Sequence, residues 1–466
     1  MMKVRIGFAP LHRYPFDEKW GAEIRAKTIE ELSRIPWIEL IYPDEKLTKR
    51  GLIWGDEDAE KVIQLFREKE VQGLLLGTMT FGDELAGARI AEEFKGYPIA
   101  IFGTKEPETL PGGFRRSDSF CGTLSLTSAL YRRQIPFIFL GIFFPDEEAF
   151  RNKIENFVRT TAIVSGFIGA RVGLIGPRPE RFETVTFNES VMARLFKQRV
   201  VHESLYDVIE RAKALRDDDP EVSEIVEDMK AMADVSEVPG ESLLKLAKFE
   251  VVLRRLAKEK KLSAMGIRCW TEIQRYYGIS PCFVMGRLTQ SGIMNSCEVD
   301  IYGALTMLIQ YKASLETTPP HFIDWTIQHP KDPNVFLSWH CGNAPPTLSC
   351  KSAAPKIRYH SILYPDVGVE SSYGTAEFRL RPGRVTICRL VEYDGEFKML
   401  VTRGEALEED GEFRGSWTWI KVDDLEKLYR TLVEEGFVHH ASVIYGDYVE
   451  PIAQACKLLG IKTVII

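Results

Sequence analysis

Five short apolar runs, Lys3 to Ala9, Ile38 to Tyr42, Gly73 to Thr78, Pro98 to Phe102 and Phe137 to Gly141, punctuate the first 165 residues, and their recurrence constrains the fold more than any other feature. Each is bounded by Gly, Pro or polar turn residues, as strands buried on both faces of a parallel sheet are. Between the runs, Gly21 to Arg34 and Asp56 to Lys69 place apolar residues three and four apart, the spacing of a helix with one buried stripe. This alternation predicts a layered α/β domain. Ligands of such a sheet sit beyond the carboxyl ends of its strands, which directs attention to Pro10-Leu11-His12-Arg13-Tyr14 and Met79-Thr80-Phe81-Gly82-Asp83. Neither segment carries a GxGxxG or P-loop pattern, so no nucleotide cofactor is expected.

The strand-then-glycine pattern returns at Arg171 in VGLIG, and further on lie a long amphipathic helix, Glu241 to Lys261, a strand, Ser263 to Cys269, and two helical stretches, Phe283 to Ser291 and Ile301 to Ala313. The acidic run RDDDPEVSEIVEDMK between them reads as a solvated helix face. After about residue 315 the texture changes to Pro- and Gly-punctuated β-prone segments: Val335 to Trp339, Gly374 to Leu380, Arg384 to Tyr393, Phe397 to Arg403 and Trp417 to Val422. The chain ends in a helix, Val449 to Leu459, and a strand, Lys462 to Ile466. The predicted architecture is therefore α/β, with two doubly wound α/β domains over residues 1–165 and 166–315 and a C-terminal antiparallel β-barrel-like domain over 316–466. At roughly 150 residues per domain, three domains suit the 466-residue length.

Charge and composition exclude several partners. Sixty Lys and Arg against 67 Asp and Glu leave a net charge of −7, so no basic field draws the chain to nucleic acid or anionic lipid. The longest apolar run, Ile135 to Phe144, is about half of the ~20 residues needed to cross a bilayer. With no signal-peptide pattern at the N-terminus, a cytoplasmic location is expected. The eight cysteines are scattered without CxxC pairs and read as reduced, buried thiols.

Four segments pair a potential metal ligand with turn or strand-end residues: CEVDIYGAL with Glu298 and Asp300, HFIDW with Asp324, SWHCGNAPP with His340, and GFVHHASV with His439 and His440. A carboxylate entering a helix, as Glu298 and Asp300 do, is often only favourable N-terminal charge. Asp324, flanked by Phe322, Ile323 and Trp325, demands a partner. His340 alone reads equally well as a core histidine. Taken in order, the four positions Glu298, Asp324, His340 and His440 are separated by 26, 16 and 100 residues.

On these segments the chain resembles the L-arabinose and L-fucose isomerases. KLAKFEVVLRRL, LTQSGIMNSCEVDIYGALTMLI, FIDW, FLSWHCGNAPPTL and FVHHASVIYGDYVEPIAQACKLLGIKTVI all have counterparts in the arabinose branch. The resemblance implies a metal held by Glu298, Asp324, His340 and His440, with the Asp at 324 as in fucose isomerases. It is clear over 240–345 and 436–466 and faint before 170. There PLHRYP keeps His12 and Tyr14 but has Leu11 where the arabinose branch has Gln, and MTFGDE resembles the fucose-branch loop whose aromatic, here Phe81, lies over the sugar.

The reading that follows is a metal-dependent aldose–ketose isomerase, an intramolecular oxidoreductase working through an enediol. The chemistry needs a cation to stabilise the enediolate and carboxylates to move protons, and Glu298 and Asp324 take both parts. Oxygen and nitrogen ligands without thiolate suit Mn²⁺, with Co²⁺ or Mg²⁺ as alternatives, and Cys297 and Cys341 are assigned to packing. Asp300 and His439 are the substitutes if the register is displaced by a position. Trp325, Trp417 and Trp419 are candidate sugar-stacking rings, with core packing as the competing reading. The sugar is L-fucose-, L-arabinose- or D-arabinose-like, or a modified sugar, with Arg13, Arg115 and Arg116 as candidate anion partners. The resemblance also implies a homo-oligomer, a hexamer, trimer or tetramer, in which His12, Tyr14 or Phe81 faces another subunit's metal site. The rival reading is a sugar-binding or regulatory protein without turnover, and metal-assisted hydrolysis is a third.

Overall fold

The computed structural model describes residues 2–106, 108–351 and 354–466. The chain divides into two compact units, Met1–Ser165 with Lys457–Leu459, and Gly166–Cys456 with Gly460–Ile466.

The first unit is built on one five-stranded sheet of Val4–Leu11 (β1), Ile38–Ile41 (β2), Gly73–Thr78 (β3), Ile99–Thr104 (β4) and Ile138–Phe143 (β5). Every neighbouring pair is parallel, in the order β2-β1-β3-β4-β5. All of β3 and β4 is buried, which explains why these runs are apolar without alternation. The winding reverses between β1 and β3, so the loops that follow them, residues 12–16 and 79–83, line the crevice where such sheets take ligands. The helix Ser119–Arg132 packs directly on the second loop: a Cβ at Gly122 would stand 1.5 Å from the Phe81 carbonyl oxygen. Gly122→Ala is accordingly expected to destabilise the unit by about 1–3 kcal/mol, read as a lower midpoint in denaturant. A parent-like midpoint would mean that the 79–83 loop moves aside freely.

The second unit begins with a four-stranded parallel sheet of Arg171–Ile175 (β6), Arg199–Glu203 (β7), Ala264–Ile267 (β8) and Met294–Ser296 (β9), ordered β7-β6-β8-β9. The acidic stretch forms the helix Pro220–Met232, which turns Val222, Ile225 and Met229 inward and leaves its carboxylates outside, as expected.

The remaining strands are His321–Gln328 (β10), Val335–His340 (β11), Lys356–Tyr359 (β12), Tyr373–Arg379 (β13), Gly383–Tyr393 (β14), Glu396–Ala406 (β15), Ser416–Lys421 (β16), His440–Tyr445 (β17) and Lys462–Ile465 (β18). Six of them, β16-β11-β10-β17-β14-β15, close on themselves through the β15–β16 pairing, and every contact around this ring is antiparallel. The closed ring is the expected antiparallel barrel-like element, and the sheet as a whole is mixed because two strands are added outside it: β13 joins β16, and β18 joins β15, in parallel. The cause for β18 is its connection. It follows β17 through the helix Val449–Leu459, and a helical crossover, unlike a hairpin, returns a strand in the same direction.

The helix Ile301–Ala313 ties the parallel sheet to the ring. It is buried at 11 of its 13 positions, which is why it reads apolar on every face. Its Gln310 amide donates to the carbonyls of Thr386 on β14 and Ser442 on β17.

Candidate active site

Pairing register brings the candidate residues together. Asp324 lies on β10 directly opposite His440 at the start of β17 and opposite Trp339 on β11, the residue before His340. Three adjacent strands thus deliver Asp324, His340 and His440 to one place in the ring. Glu298 arrives from the turn between β9 and the helix Ile301–Ala313. There Glu298 and Val299 both take left-handed backbone angles, φ 52° and 56°, unusual for non-glycine residues and especially for a β-branched one. Gly266 on β8 makes room for this turn, because a Cβ there would lie 2.9 Å from the Val299 backbone.

The four side chains line a cavity of about 150 Å³ together with Phe182, Cys269, Trp270, Cys282, Cys297, Trp339, Cys341, His360 and His439. Glu298 Oε1 accepts from the Trp270 indole N–H at 2.8 Å and from the Cys269 thiol at 3.4 Å. Its Oε2 faces His440 Nε2 at 3.4 Å, and the same Nε2 is 3.7 Å from Asp324 Oδ1. On the far side of the ring His440 Nδ1–H donates to Asp300 Oδ2 at 2.8 Å. Asp300 also accepts from both terminal nitrogens of Arg389 and, as cap of its helix, from the Gly303 amide at 2.8 Å. Asp300 and Arg389 are each 1% exposed.

These contacts set the protonation states. Burial alone would raise the Glu298 carboxyl, but the neighbouring imidazoles of His440 and His340 and the Trp270 N–H outweigh it and bring its pKa down to about 2. Burial alone would lower His440, but Asp300 and Glu298 on its two sides push it up to about 9. Asp300 is held far below the carboxylate range, Arg389 and His440 overcoming the cost of its burial. His360, whose Nδ1 accepts from the Ile362 and Leu363 amides, is driven down to about 4 by burial and stays neutral.

Three buried polar atoms at the cavity have no hydrogen-bond partner: Glu298 Oε2, Asp324 Oδ1 and His340 Nε2. Buried polar atoms are costly when left unsatisfied, and two carboxylate oxygens beside the His440 imidazole nitrogen form the donor set of a divalent cation. Glu298, His340 and His440 each offer an atom within 4.8 Å of the others, as do Asp324, His439 and His440. The cluster therefore suits a metal ion.

The sequence comparisons cover both ends of the chain. Residues 7–168 match the family described as fucose/sulfoquinovose isomerase, N-terminal domain, and residues 338–466 match L-fucose isomerase, C-terminal domain. The chain belongs to the fucose/sulfoquinovose isomerase family. A curated protein named sulfoquinovose isomerase from Priestia aryabhattai is 23% identical to it over 472 residues, 99% of either chain. Proteins of the same name from Alkalicoccus urumqiensis and Clostridium sp. (strain MSTE9) are 27% and 24% identical, over 79% and 84% of this chain and 80% and 85% of their own. Its reaction class is accordingly aldose–ketose isomerisation of a sugar.

Several residues of this family member sit elsewhere than the sequence reading placed them. Asp300 stands behind His440 and outside the cavity lining, so it is not an interchangeable substitute for Glu298. Trp417 and Trp419 are buried with Val335 and Leu337 and pack on Phe413, and neither lines the cavity; they are core tryptophans. Trp325 packs against Phe336 at a tilt and borders a separate, larger groove of about 810 Å³ that contains none of the metal-type cluster. Trp339 and Trp270 are the indoles at the cavity. In the first unit, His12 is buried with Nδ1 3.0 Å from the Thr80 hydroxyl, Phe81 stacks on Phe16 beneath the Arg13 guanidinium, and Tyr14 is 71% exposed. No helix among the described residues is long and apolar enough to cross a membrane.

Proposed function

We propose that the chain interconverts a sulfonated aldose and its ketose, with Mn²⁺ held by Glu298, Asp324 and His440. The observation that carries this reading is the set of unsatisfied buried atoms, Glu298 Oε2 and Asp324 Oδ1, meeting His440 Nε2 in one cavity. Bound there, a divalent cation supplies charge stabilisation for the enediolate. Asp300 holds the Nδ1 proton of His440, so Nε2 is the nitrogen that would give up its proton to hold an ion. His340 accepts the Cys341 amide N–H at Nδ1 over 2.9 Å, so its Nε2 carries the proton and donates to a sugar oxygen. Glu298, held at Oε1 by Trp270 and Cys269 and with Oε2 beside His440, serves as a ligand. Asp324, whose side chain is 25% exposed, takes the C2 proton and returns it at C1.

The sulfonated substrate is that for which the relatives are named. No Lys or Arg is among the residues lining the cavity, so the anion must be met from elsewhere. We assign that part to the first unit of a neighbouring copy in a homo-oligomer, with Tyr14 reaching the sugar and Arg13, Arg115 or Arg116 the sulfonate. Closure by a second copy also removes the sugar from bulk water. Two of these arginines are exposed and rest on half-buried carboxylates, Arg13 on Glu84 at 3.2 Å and Arg115 on Asp118 at 3.0 Å, surface pairs weak enough to exchange for a ligand.

Incubation with Mn²⁺ in D₂O, with plain and sulfonated aldoses side by side, tests the reading. Ketose should accumulate with deuterium on carbon, fastest from the sulfonated sugar. Binding without conversion would make the chain a sugar-binding protein, and release of a hydrolysis product would move it to another class. Chelation should reduce turnover to background while leaving the far-ultraviolet circular dichroism unchanged, because the sheets are built without the ion. Unchanged turnover after the metal is removed would sink the metal assignment.

A further inference from the structure

Four cysteines, 269, 282, 297 and 341, border the cavity, and two of them form a second donor set on the opposite edge of Glu298. The sulfurs of Cys269 and Cys297 and a Glu298 oxygen lie within 4.8 Å of one another, and all three residues are buried. The carboxylate is divided between two neighbourhoods: Oε1 takes the Cys269 thiol at 3.4 Å, whereas Oε2 faces His440. Cys297 Sγ also accepts the Asn343 amide N–H at 3.3 Å, which fixes the sulfur at the cavity edge. Two sulfurs and one carboxylate oxygen are a soft, trigonal set open to a fourth ligand, which zinc and cadmium accept and Mn²⁺ and Mg²⁺ do not favour.

We propose that Cys269, Cys297 and Glu298 bind a thiophilic divalent cation, Zn²⁺ in the cell and Cd²⁺ as its probe, at a site distinct from the Glu298–Asp324–His440 set. Binding forms two metal–sulfur bonds and releases the two thiol protons to solvent. Glu298 is common to both sites, so two dications would face each other across one carboxylate, and their repulsion makes occupancy antagonistic. Cellular zinc thereby competes with the ion that serves isomerisation. The antagonism, though not the thiol site, rests on the reading of Glu298 as a ligand of the catalytic ion.

The test uses the metal-free full chain carrying Cys121→Ser, since Cys121 is the exposed cysteine among the described residues. Cd²⁺ titration should give a thiolate-to-cadmium charge-transfer band that saturates at one ion per chain. Cys269→Ser with Cys297→Ser should abolish the band, and Cys282→Ser with Cys341→Ser should keep it; the reverse pattern would overturn the proposal. Cadmium-edge X-ray absorption of the one-ion complex needs no cysteine variant within the site, and a shell without two sulfur neighbours would overturn it equally. With the band saturated, Mn²⁺ affinity measured by electron paramagnetic resonance should fall about tenfold or more, and by linkage Mn²⁺ should weaken Cd²⁺ by the same factor. Unchanged Mn²⁺ affinity would refute the antagonism. Failure of Mn²⁺ to bind the chain at all would instead sink the catalytic-ion reading, so the two failures are distinguishable.

Discussion

Asp324→Asn and Glu298→Gln are each expected to lower kcat by about 10²–10⁴-fold while leaving the fold intact, because both keep side-chain size and remove only a negative charge and a proton acceptor. The two variants should differ in signature. Glu298 Oε1 is held by Trp270 and Cys269 and its Oε2 meets His440, so Glu298→Gln takes away the counter-charge that the cation and His440 both use. Its Mn²⁺ affinity should fall with its kcat. Asp324 reaches the cavity from mid-strand with Oδ1 unpartnered, and Asp324→Asn should cost more in turnover than in metal content. Steady-state kinetics at saturating Mn²⁺, with bound metal counted on the same samples, would check both. An Asp324→Asn enzyme retaining a tenth or more of parent turnover would remove that carboxylate from proton transfer.

How far the sequence discloses this arrangement depends on whether the signal is local. β1, β3, β4 and β5 are readable because each is a continuous apolar run ended by turn residues, and the helix Ile301–Ala313 is readable by length and composition. The closing of β15 onto β16 and the parallel attachment of β13 and β18 have no local signature, since partners far apart in sequence decide them. The same contrast holds at the site. Spacing and family resemblance single out Glu298, Asp324, His340 and His440, and the structure brings all four to one cavity. Neighbouring His439 and His440 are separable only by strand phase: β17 starts at His440, which is buried, and leaves His439 exposed. Cys269, Trp270 and Phe182 were not anticipated, because nothing near them in sequence resembles a site. Arg389 was missed for a different reason. It sits in the run TICRLVEY, a charge amid apolar neighbours that demands a partner as Asp324 does.

Asp300→Asn is expected to destabilise the chain by about 3–5 kcal/mol, because it strands the Arg389 guanidinium, 1% exposed, without a counter-charge. The neighbouring helix cap, by contrast, survives in part, since an asparagine oxygen can still accept the Gly303 amide. Arg389→Met should be costly for the complementary reason, leaving a buried carboxylate with His440 as its remaining cationic partner. The double variant Asp300→Asn with Arg389→Met should recover much of either loss, as removing both charges removes the unpaired burial, and denaturant titration of the four proteins gives the coupling directly. Metal binding should not recover with stability. His440 loses the carboxylate that fixes its Nδ1 proton in both Asp300 variants, and loss of such a partner typically costs about 10–100-fold in metal affinity. A double variant that regained stability but not Mn²⁺ affinity would separate the two tasks of Asp300, neutralising a buried arginine and orienting a histidine. A double variant as unstable as the single ones would show that packing around Arg389, rather than its charge, holds this part of the ring together.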